Sequence, residues 1–241
     1  MSPSAPTGEP GPDHHGPVPR AHGRRITRDA AGIGLATGAY GLSFGAISVA
    51  SGLDPLQTQV LSLGMFTGAS QFALVGVLGA GGGAVAAVLT AWLLGARNGL
   101  YALSLSPVIR VTGPQRLAAA QLTIDESTAM ALGHPTPAAA ARRAFWSTGL
   151  SVFVLWNIGT LVGALGAAAI DDPGTLGLDA AIPAGFLALL WPRLVDRTMW
   201  AVAAAGATVA LVLTPVLRPG LPVLAAGLVA LAASWIIGRR S

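Results

Sequence analysis

Arg97 and Asn98 carry the clearest chemical signal in this sequence, because they interrupt a segment that is otherwise apolar. Arg97 follows a long apolar run, and Tyr101 comes one helical turn after it. A guanidinium group binds a carboxylate through two parallel hydrogen bonds, which makes Arg97, Asn98 and Tyr101 candidate ligand-binding residues. Alternatively, Arg97 pairs with an acidic residue of the chain or extends to a membrane surface.

Asp125 and Glu126 form an adjacent pair of acids within a second apolar segment. Acidic groups at membrane depth need a partner or a task, and this pair could hold an ammonium group or carry a proton. Thr123 and Glu126 also match T-x-x-E, in which the threonine caps the start of a helix. A cap at Thr123 is compatible with a functional role for Asp125.

A third polar cluster lies at residues 67–72, in the middle of an apolar segment. Its two small residues, followed by Ser70, Gln71 and Phe72, favour local unwinding of a helix. Broken helices expose backbone N–H groups, and their amino termini attract anions. Alternatively, Ser70 and Gln71 form hydrogen bonds between helices.

The composition argues against a water-soluble enzyme. Of the 241 residues, 53% are hydrophobic and 10% are charged, whereas soluble domains have about 25% charged residues. Cysteine and lysine are absent and the histidines lie outside the apolar segments, so we predict no catalytic residues, no metal site and no cofactor. The net charge of +4 is small, and the arginines flank apolar segments as in membrane proteins rather than in nucleic-acid binders.

The elements that must position these residues are long apolar segments. A transmembrane helix needs about 20 apolar residues, and the candidates are 30–52, 56–80, 83–109, 144–170, 178–195, 198–217 and 220–238. The fold class predicted is all-α, a polytopic transmembrane helical bundle with about six to eight crossings and with interrupted or re-entrant helices. In 178–195, Asp179 is a predicted helix cap and Pro183 a predicted end or kink.

Arginine positions predict the orientation of the chain. By the positive-inside rule, the arginines at 20–28 and the pair Arg142 and Arg143 lie in the cytoplasm. An even number of crossings must then separate them, and 30–52 and 56–80 supply two. Residues 83–113 are therefore either a re-entrant pair of half-helices broken at 97–99, or a full span whose return is made by 117–133.

Two further patterns concern disorder and packing. Residues 1–28, rich in Pro, Gly, His and Arg, form a predicted disordered cytoplasmic tail, and 29–241 form the transmembrane transporter domain. Glycines recur at steps of three and four in the first span, at positions 34, 38, 41 and 45. This stripe favours close helix packing, or alternatively lines a cavity or a moving interface.

Four stretches of the sequence together resemble the AzlC family, the large subunit of a two-component branched-chain amino acid exporter. They are GLSFGAISVASGLDPLQTQVLSLGMFTGASQFALVGVL at 41–78, ARNGLYALSLSP at 96–107, QLTIDESTAMAL at 121–132 and LGLDAAIPAGFLALLWPRLVDR at 176–197. The resemblance implies a multi-pass plasma (inner) membrane protein that exports small apolar amino acids with a small four-helix AzlD-type membrane subunit.

The resemblance and the residues together define the expected site. Ser70, Gln71, Phe72, Arg97, Asn98 and Tyr101 are predicted to bind substrate, and Asp125 and Glu126 to bind its ammonium group or carry a coupling proton. No ATP-binding motif is present, so proton-coupled secondary transport is expected. The alternatives are a channel for another small solute and a membrane scaffold that transports nothing.

Overall fold

A computed structural model describes residues 18–170, 187, 190, 191, 194–218 and 220–238. It is all-helical, as the composition predicts, and no strand occurs among these residues. The helices are α1 (Arg20–Ala50), α2 (Pro55–Gly64), α3 (Gly68–Gly79), α4 (Ala84–Ile109), α5 (Gln115–Gln121), α6 (Asp125–Leu132), α7 (Ala138–Ala168), α8 (Arg197–Leu213) and α9 (Leu221–Gly238). The predictions for residues 1–17, Asp179 and Pro183 lie outside the described part of the chain.

Helices α1 and α7 pack side by side and run in the same direction. A Cβ added at Gly38 would lie 2.9 Å from the Leu155 carbonyl oxygen, and one added at Gly41 would lie 2.6 Å from that of Trp156. Gly34 and Gly45 also face α7 closely, so the whole stripe serves backbone contact. The amino termini of both helices therefore share one end of the bundle. We call it the basic end, since Arg24, Arg25, Arg28, Arg142 and Arg143 lie there.

Helix α1 starts earlier than the sequence predicted. Residues 20–28, assigned above to a disordered tail, form its first turns. The physical reason is burial, because Ile26 is fully buried in a small cluster with Ala140 and Ala144 of α7. Apolar packing against α7 gives this arginine-rich stretch a surface on which to fold.

Helices α2 and α3 form a re-entrant hairpin rather than the full crossing predicted for 56–80. The hairpin bends at 65–67 and returns to the end where it began, since Gly79 lies against Ser51 at the carboxyl end of α1. Gln71 of α3 donates its amide to the carbonyls of Leu61 and Ser62 in α2, at 3.5 and 3.3 Å. These carbonyls lie in the last turn of α2, where a helix has no N–H groups of its own to bind them. The Gln71 side chain therefore holds the bend closed. The break precedes the unwinding predicted at 67–72, because the chain is helical from Gly68 onward.

Helices α5 and α6 form a second re-entrant hairpin, which enters from the basic end and bends at 122–124. The Ser127 hydroxyl stabilises the bend, accepting from the Ile124 N–H at 3.1 Å and donating to the Leu122 carbonyl at 2.6 Å. Ile124 is the residue that precedes α6. The predicted cap at Thr123 is wrong, because its hydroxyl donates back to the Ala119 carbonyl at 2.7 Å.

Helix α4 crosses the bundle between the two hairpins and is continuous through residues 97–99. The predicted interruption there is wrong, because the polar triplet occupies a single helical turn. Neither alternative for this region holds in full. Residues 84–109 form one continuous helix, as the second alternative requires, but α5 and α6 turn back to the basic end and make no return crossing. The re-entrant elements are at 55–79 and 115–132, and not at 83–113.

The tips of the two hairpins meet. The Gln121 side chain, at the end of α5, donates to the Leu63 carbonyl at the end of α2 at 2.7 Å. Helix α7 supports both tips, through Gly149 against Leu122 and through an edge-to-face contact of Phe153 with Phe66 at 5.0 Å. The centre of the bundle is therefore built from bends rather than from continuous helices.

Large apolar side chains cover the outside of the bundle, as Trp92, Leu103 and Leu211 are 78%, 71% and 73% exposed. An apolar exterior of this extent is a mark of a membrane surface. Among the described residues, α1 and α7 are long and apolar enough to cross a membrane, with mean hydropathies of 1.4 and 1.8. Helices α8 and α9 are shorter apolar helices that pack against each other, and α9 runs along α4.

Candidate functional site

A cavity of about 370 Å³ lies at the centre of the bundle, among α1, α3, α4, α6 and α7. Small-molecule sites have volumes of about 300–1,000 Å³, so this cavity suits a ligand of a few heavy atoms. Its lining residues are Ala36, Thr37, Tyr40, Gly68, Ala69, Phe72, Leu94, Arg97, Asp125, Glu126, Trp156 and Leu190.

Arg97 and Asp125 form an ion pair in this cavity. The Arg97 Nη2 atom lies 3.1 Å from the Asp125 Oδ2 atom, and the two side chains are 30% and 25% exposed. Arg97 sits about 20 Å along α4 from its first residue, far from either end of the helix. An unpaired charge at this depth would be costly, so the pairing accounts for the mutual placement of α4 and α6. Glu126 lines the same cavity.

The amino terminus of α3 opens onto the cavity. Thr67 precedes the helix and its side chain forms no capping hydrogen bond, and the first-turn residues Gly68 and Ala69 line the cavity. The early N–H groups of a helix have no intrahelical acceptor and carry partial positive charge. A Cβ at Gly68 would lie 3.2 Å from the Trp156 ring, so glycine keeps this terminus close to the cavity.

Aromatic rings form the apolar wall of the cavity. Phe72 and Trp156 meet edge to face with ring centroids 6.3 Å apart, and Phe44 supports both at 5.4 and 5.8 Å. Tyr40 of α1 also lines the cavity. The cavity therefore combines a guanidinium group, two carboxyl groups, a helix amino terminus and an aromatic wall.

Four of the predicted residues meet in the cavity, namely Phe72, Arg97, Asp125 and Glu126. The other four do not line it. Ser70 faces a separate cavity beside Trp92 and Gly95, Gln71 closes the first bend, and Asn98 and Tyr101 are partly buried elsewhere on α4.

Sequence reasoning missed Thr37, Tyr40 and Trp156 as lining residues. Tyr40 is an aromatic residue one position before Gly41, within the glycine stripe. An aromatic side chain next to a closely packed helix face could have indicated that Tyr40 lines the cavity. Trp156 was not singled out, although the polar Asn157 follows it directly within an apolar segment.

Gln71→Met tests the structural role of this residue. The variant keeps side-chain length but removes both amide contacts to the buried carbonyls of α2, and we expect the free energy of unfolding to fall by about 1–3 kcal/mol. Affinity for branched-chain amino acids, the ligands implied by the sequence, should not change. Thermal unfolding and equilibrium binding in detergent measure the two effects.

Gln115→Met is the matched control, since Gln115 is exposed at the start of α5 and its replacement should leave stability unchanged. A loss of binding without a loss of stability in Gln71→Met would instead place Gln71 in contact with the ligand.

The described residues offer no metal centre, since they contain no group of three or more His, Asp or Glu side chains close enough to hold an ion. The ionisable groups that do converge are the guanidinium and carboxyl groups of the cavity, which suit a ligand that carries both charges.

Comparison with known proteins gave one family match. The sequence model of one family, described as AzlC protein, matches residues 32–170. The match includes α1 to α7 from residue 32 onward, and with them both hairpins and all of the lining residues except Leu190. No curated protein and no solved structure matched the chain. Because the match covers more than half of its length, this chain belongs to the AzlC family of membrane transport proteins.

Proposed function

We propose that this chain is the larger subunit of a secondary exporter of branched-chain amino acids. The observation that carries the proposal is the Arg97–Asp125 pair at 3.1 Å, which faces a small cavity with an aromatic wall. A zwitterionic amino acid presents one carboxylate, one ammonium group and one side chain. The cavity holds a complementary group for each.

The carboxylate of the substrate binds between Arg97 and the amino terminus of α3. Arg97 Nε is buried and has no hydrogen-bond partner among the described residues, and the N–H groups of Gly68 and Ala69 are free of intrahelical acceptors. Charge-assisted hydrogen bonds to a guanidinium group are stronger than neutral ones. The helix terminus adds favourable partial charge without adding a second cation.

The ammonium group of the substrate binds to Asp125, with Glu126 beside it. In the empty protein Asp125 holds Arg97, so the zwitterion inserts between two groups that already neutralise each other. Each protein charge exchanges one partner for another of the same sign, and no charge is left unpaired. Protonation of Asp125 weakens its hold on the ammonium group and on Arg97, which links substrate release to proton movement.

The aromatic wall selects the side chain. Phe72, Trp156 and Tyr40 offer apolar surface to an aliphatic group, and the volume of about 370 Å³ leaves room for a branched one. Among the described residues, the wall holds no further acid or base to pair with a charged substrate side chain, so acidic and basic amino acids are disfavoured.

The proposed orientation in the membrane rests on the arginines of the basic end and on the apolar exterior of the bundle. The basic end faces the cytoplasm of a plasma membrane by the positive-inside rule, with the amino terminus on that side. The partner is a small four-helix AzlD-type membrane subunit, which is supported by the sequence resemblance. The apolar exterior of α4 around Trp92 and Leu103 is compatible with either lipid or such a subunit.

Counterflow in proteoliposomes tests this function. The chain is reconstituted with an AzlD-type subunit, the vesicles are loaded with unlabelled leucine, and labelled leucine is added outside. We expect transient accumulation of label, competition by valine and isoleucine, and no competition by glutamate or arginine. Flux without transient accumulation would indicate a channel, and no flux in the presence of the partner would indicate a scaffold.

A further inference from the structure

A second cavity, of about 300 Å³, opens at the basic end between α4, α5 and α7. Its apolar floor includes Leu105, Ile109 and Phe145, and two arginines, Arg110 and Arg116, also line it. It is distinct from the central cavity, with which it shares no lining residue. Nothing in the transport proposal uses it.

Both arginines are held in place through one nitrogen each. Arg110 Nε donates to the Pro107 carbonyl at 2.9 Å, and Arg116 Nε donates to the Val111 carbonyl at 3.3 Å. The terminal nitrogens of both guanidinium groups have no acidic partner in the described part of the chain. Both side chains are exposed, so two cations border one cavity with terminal guanidinium nitrogens that a ligand can reach.

The backbone at Arg110 supports a functional reason for this side chain. Arg110 follows α4 in the left-handed conformation, with φ 47° and ψ 52°. Glycine or asparagine usually occupies that position, because a residue with a larger side chain is strained there. Arg110 holds an unfavourable backbone conformation and lines the same cavity as a second arginine, which points to a role for its charge.

We propose that this cavity binds a phosphate group, supplied by an anionic phospholipid head group or by a soluble phosphate compound. A phosphate offers enough oxygens for two guanidinium groups at once, whereas a single carboxylate offers two. An amino acid zwitterion does not fit, because the described residues place no acid in the lining to receive its ammonium group. Basic pockets between helices at a membrane surface are suited to lipid head groups, and the apolar floor accommodates the glycerol backbone or the start of an acyl chain.

The test is thermal unfolding of the full chain in detergent, with four probes added separately. The probes are phosphatidylglycerol, phosphatidylcholine, glycerol 3-phosphate and inorganic phosphate. A ligand at a hundred times its Kd raises the unfolding midpoint of a chain of this size by about 5–10 °C. Stabilisation by phosphatidylglycerol alone identifies the lipid as the source. Stabilisation by glycerol 3-phosphate or inorganic phosphate identifies a soluble source.

Three variants make the assignment specific. Arg110→Gln combined with Arg116→Gln should lose the stabilisation. Without any probe, Arg110→Gly should have a higher unfolding midpoint than the native chain, since glycine relieves the left-handed strain. Its midpoint should rise less than that of the native chain when the phosphate-bearing probe that stabilises the native chain is added. Arg24→Gln, an exposed arginine at the same end of the bundle, should respond like the native chain.

Two results would overturn the proposal. One is an absence of saturable stabilisation by every phosphate-bearing probe. The other is an equal loss of stabilisation in Arg24→Gln and in the double variant, which would show general attraction to the basic end rather than a site.

Discussion

Replacing Arg97 with glutamine reduces leucine counterflow by about 10- to 150-fold, which corresponds to loss of a hydrogen-bonded charge contact of about 1.5–3 kcal/mol. The substituted side chain is neutral and shorter, so it cannot bind the substrate carboxylate, and Asp125 loses its partner at 3.1 Å. The measurement is initial counterflow rate in proteoliposomes, normalised to the amount of reconstituted protein. The counterflow rate of Arg97→Lys should lie between those of the native chain and Arg97→Gln. Lysine keeps the charge but cannot form the two parallel hydrogen bonds of a guanidinium group.

The double variant Arg97→Gln with Asp125→Asn separates substrate binding from structural pairing. If the ion pair only holds α4 against α6, two neutral amides satisfy each other and counterflow recovers relative to the single variant. If both groups bind the zwitterion, the double variant is at least as impaired as Arg97→Gln. Recovery of transport would therefore contradict the proposed site while leaving the fold intact.

Gly41→Val prevents stable packing of α1 on α7. The first added carbon alone lies 2.6 Å from the Trp156 carbonyl oxygen, and neither backbone can yield without moving the helix. Overpacking of a well-packed interior lowers the free energy of unfolding by about 1–3 kcal/mol and sometimes more. We expect the loss in Gly41→Val to reach or exceed the upper end of this range. The readouts are the yield of monodisperse protein in detergent and the midpoint of thermal unfolding.

Gly32→Val is the matched control on the same helix. Gly32 is exposed and an added Cβ meets nothing within 4 Å, so the same chemical change should leave yield and midpoint near native values. Equal behaviour of the two variants would mean that the glycine stripe is not the contact described above.

The sequence predicted the chemistry of the centre better than its shape. Arg97 and Asp125 were recognisable because charges are scarce in this chain and costly at depth, so they were expected to find partners or ligands. Phe72 and Glu126 also line the central cavity. Ser70, Gln71, Asn98 and Tyr101 do not line it, because the direction of each side chain depends on how its helix is rotated, and sequence spacing alone does not fix that rotation.

The topology was harder to predict for a related reason. A stretch of 25 apolar residues is long enough for one crossing or for a hairpin of two half-helices, and the apolar residues Met65 and Phe66 hide the bend of 55–79. Residues 97–99 gave the opposite signal, because Arg97, Asn98 and Gly99 within an apolar segment resemble a break, although the helix is continuous there. The start of α1 at Arg20 depended on packing against α7, which local composition does not reveal.

The two hairpins divide the closure of the central cavity between separate pieces of chain. The bend at 65–67 belongs to a hairpin anchored at the end opposite to the basic end, and the bend at 122–124 belongs to one anchored at the basic end itself. Helices α1 and α7 are fixed to each other by close backbone contact. The Gln121 to Leu63 hydrogen bond at 2.7 Å joins the two hairpins, so neither tip can move away from the other without breaking it.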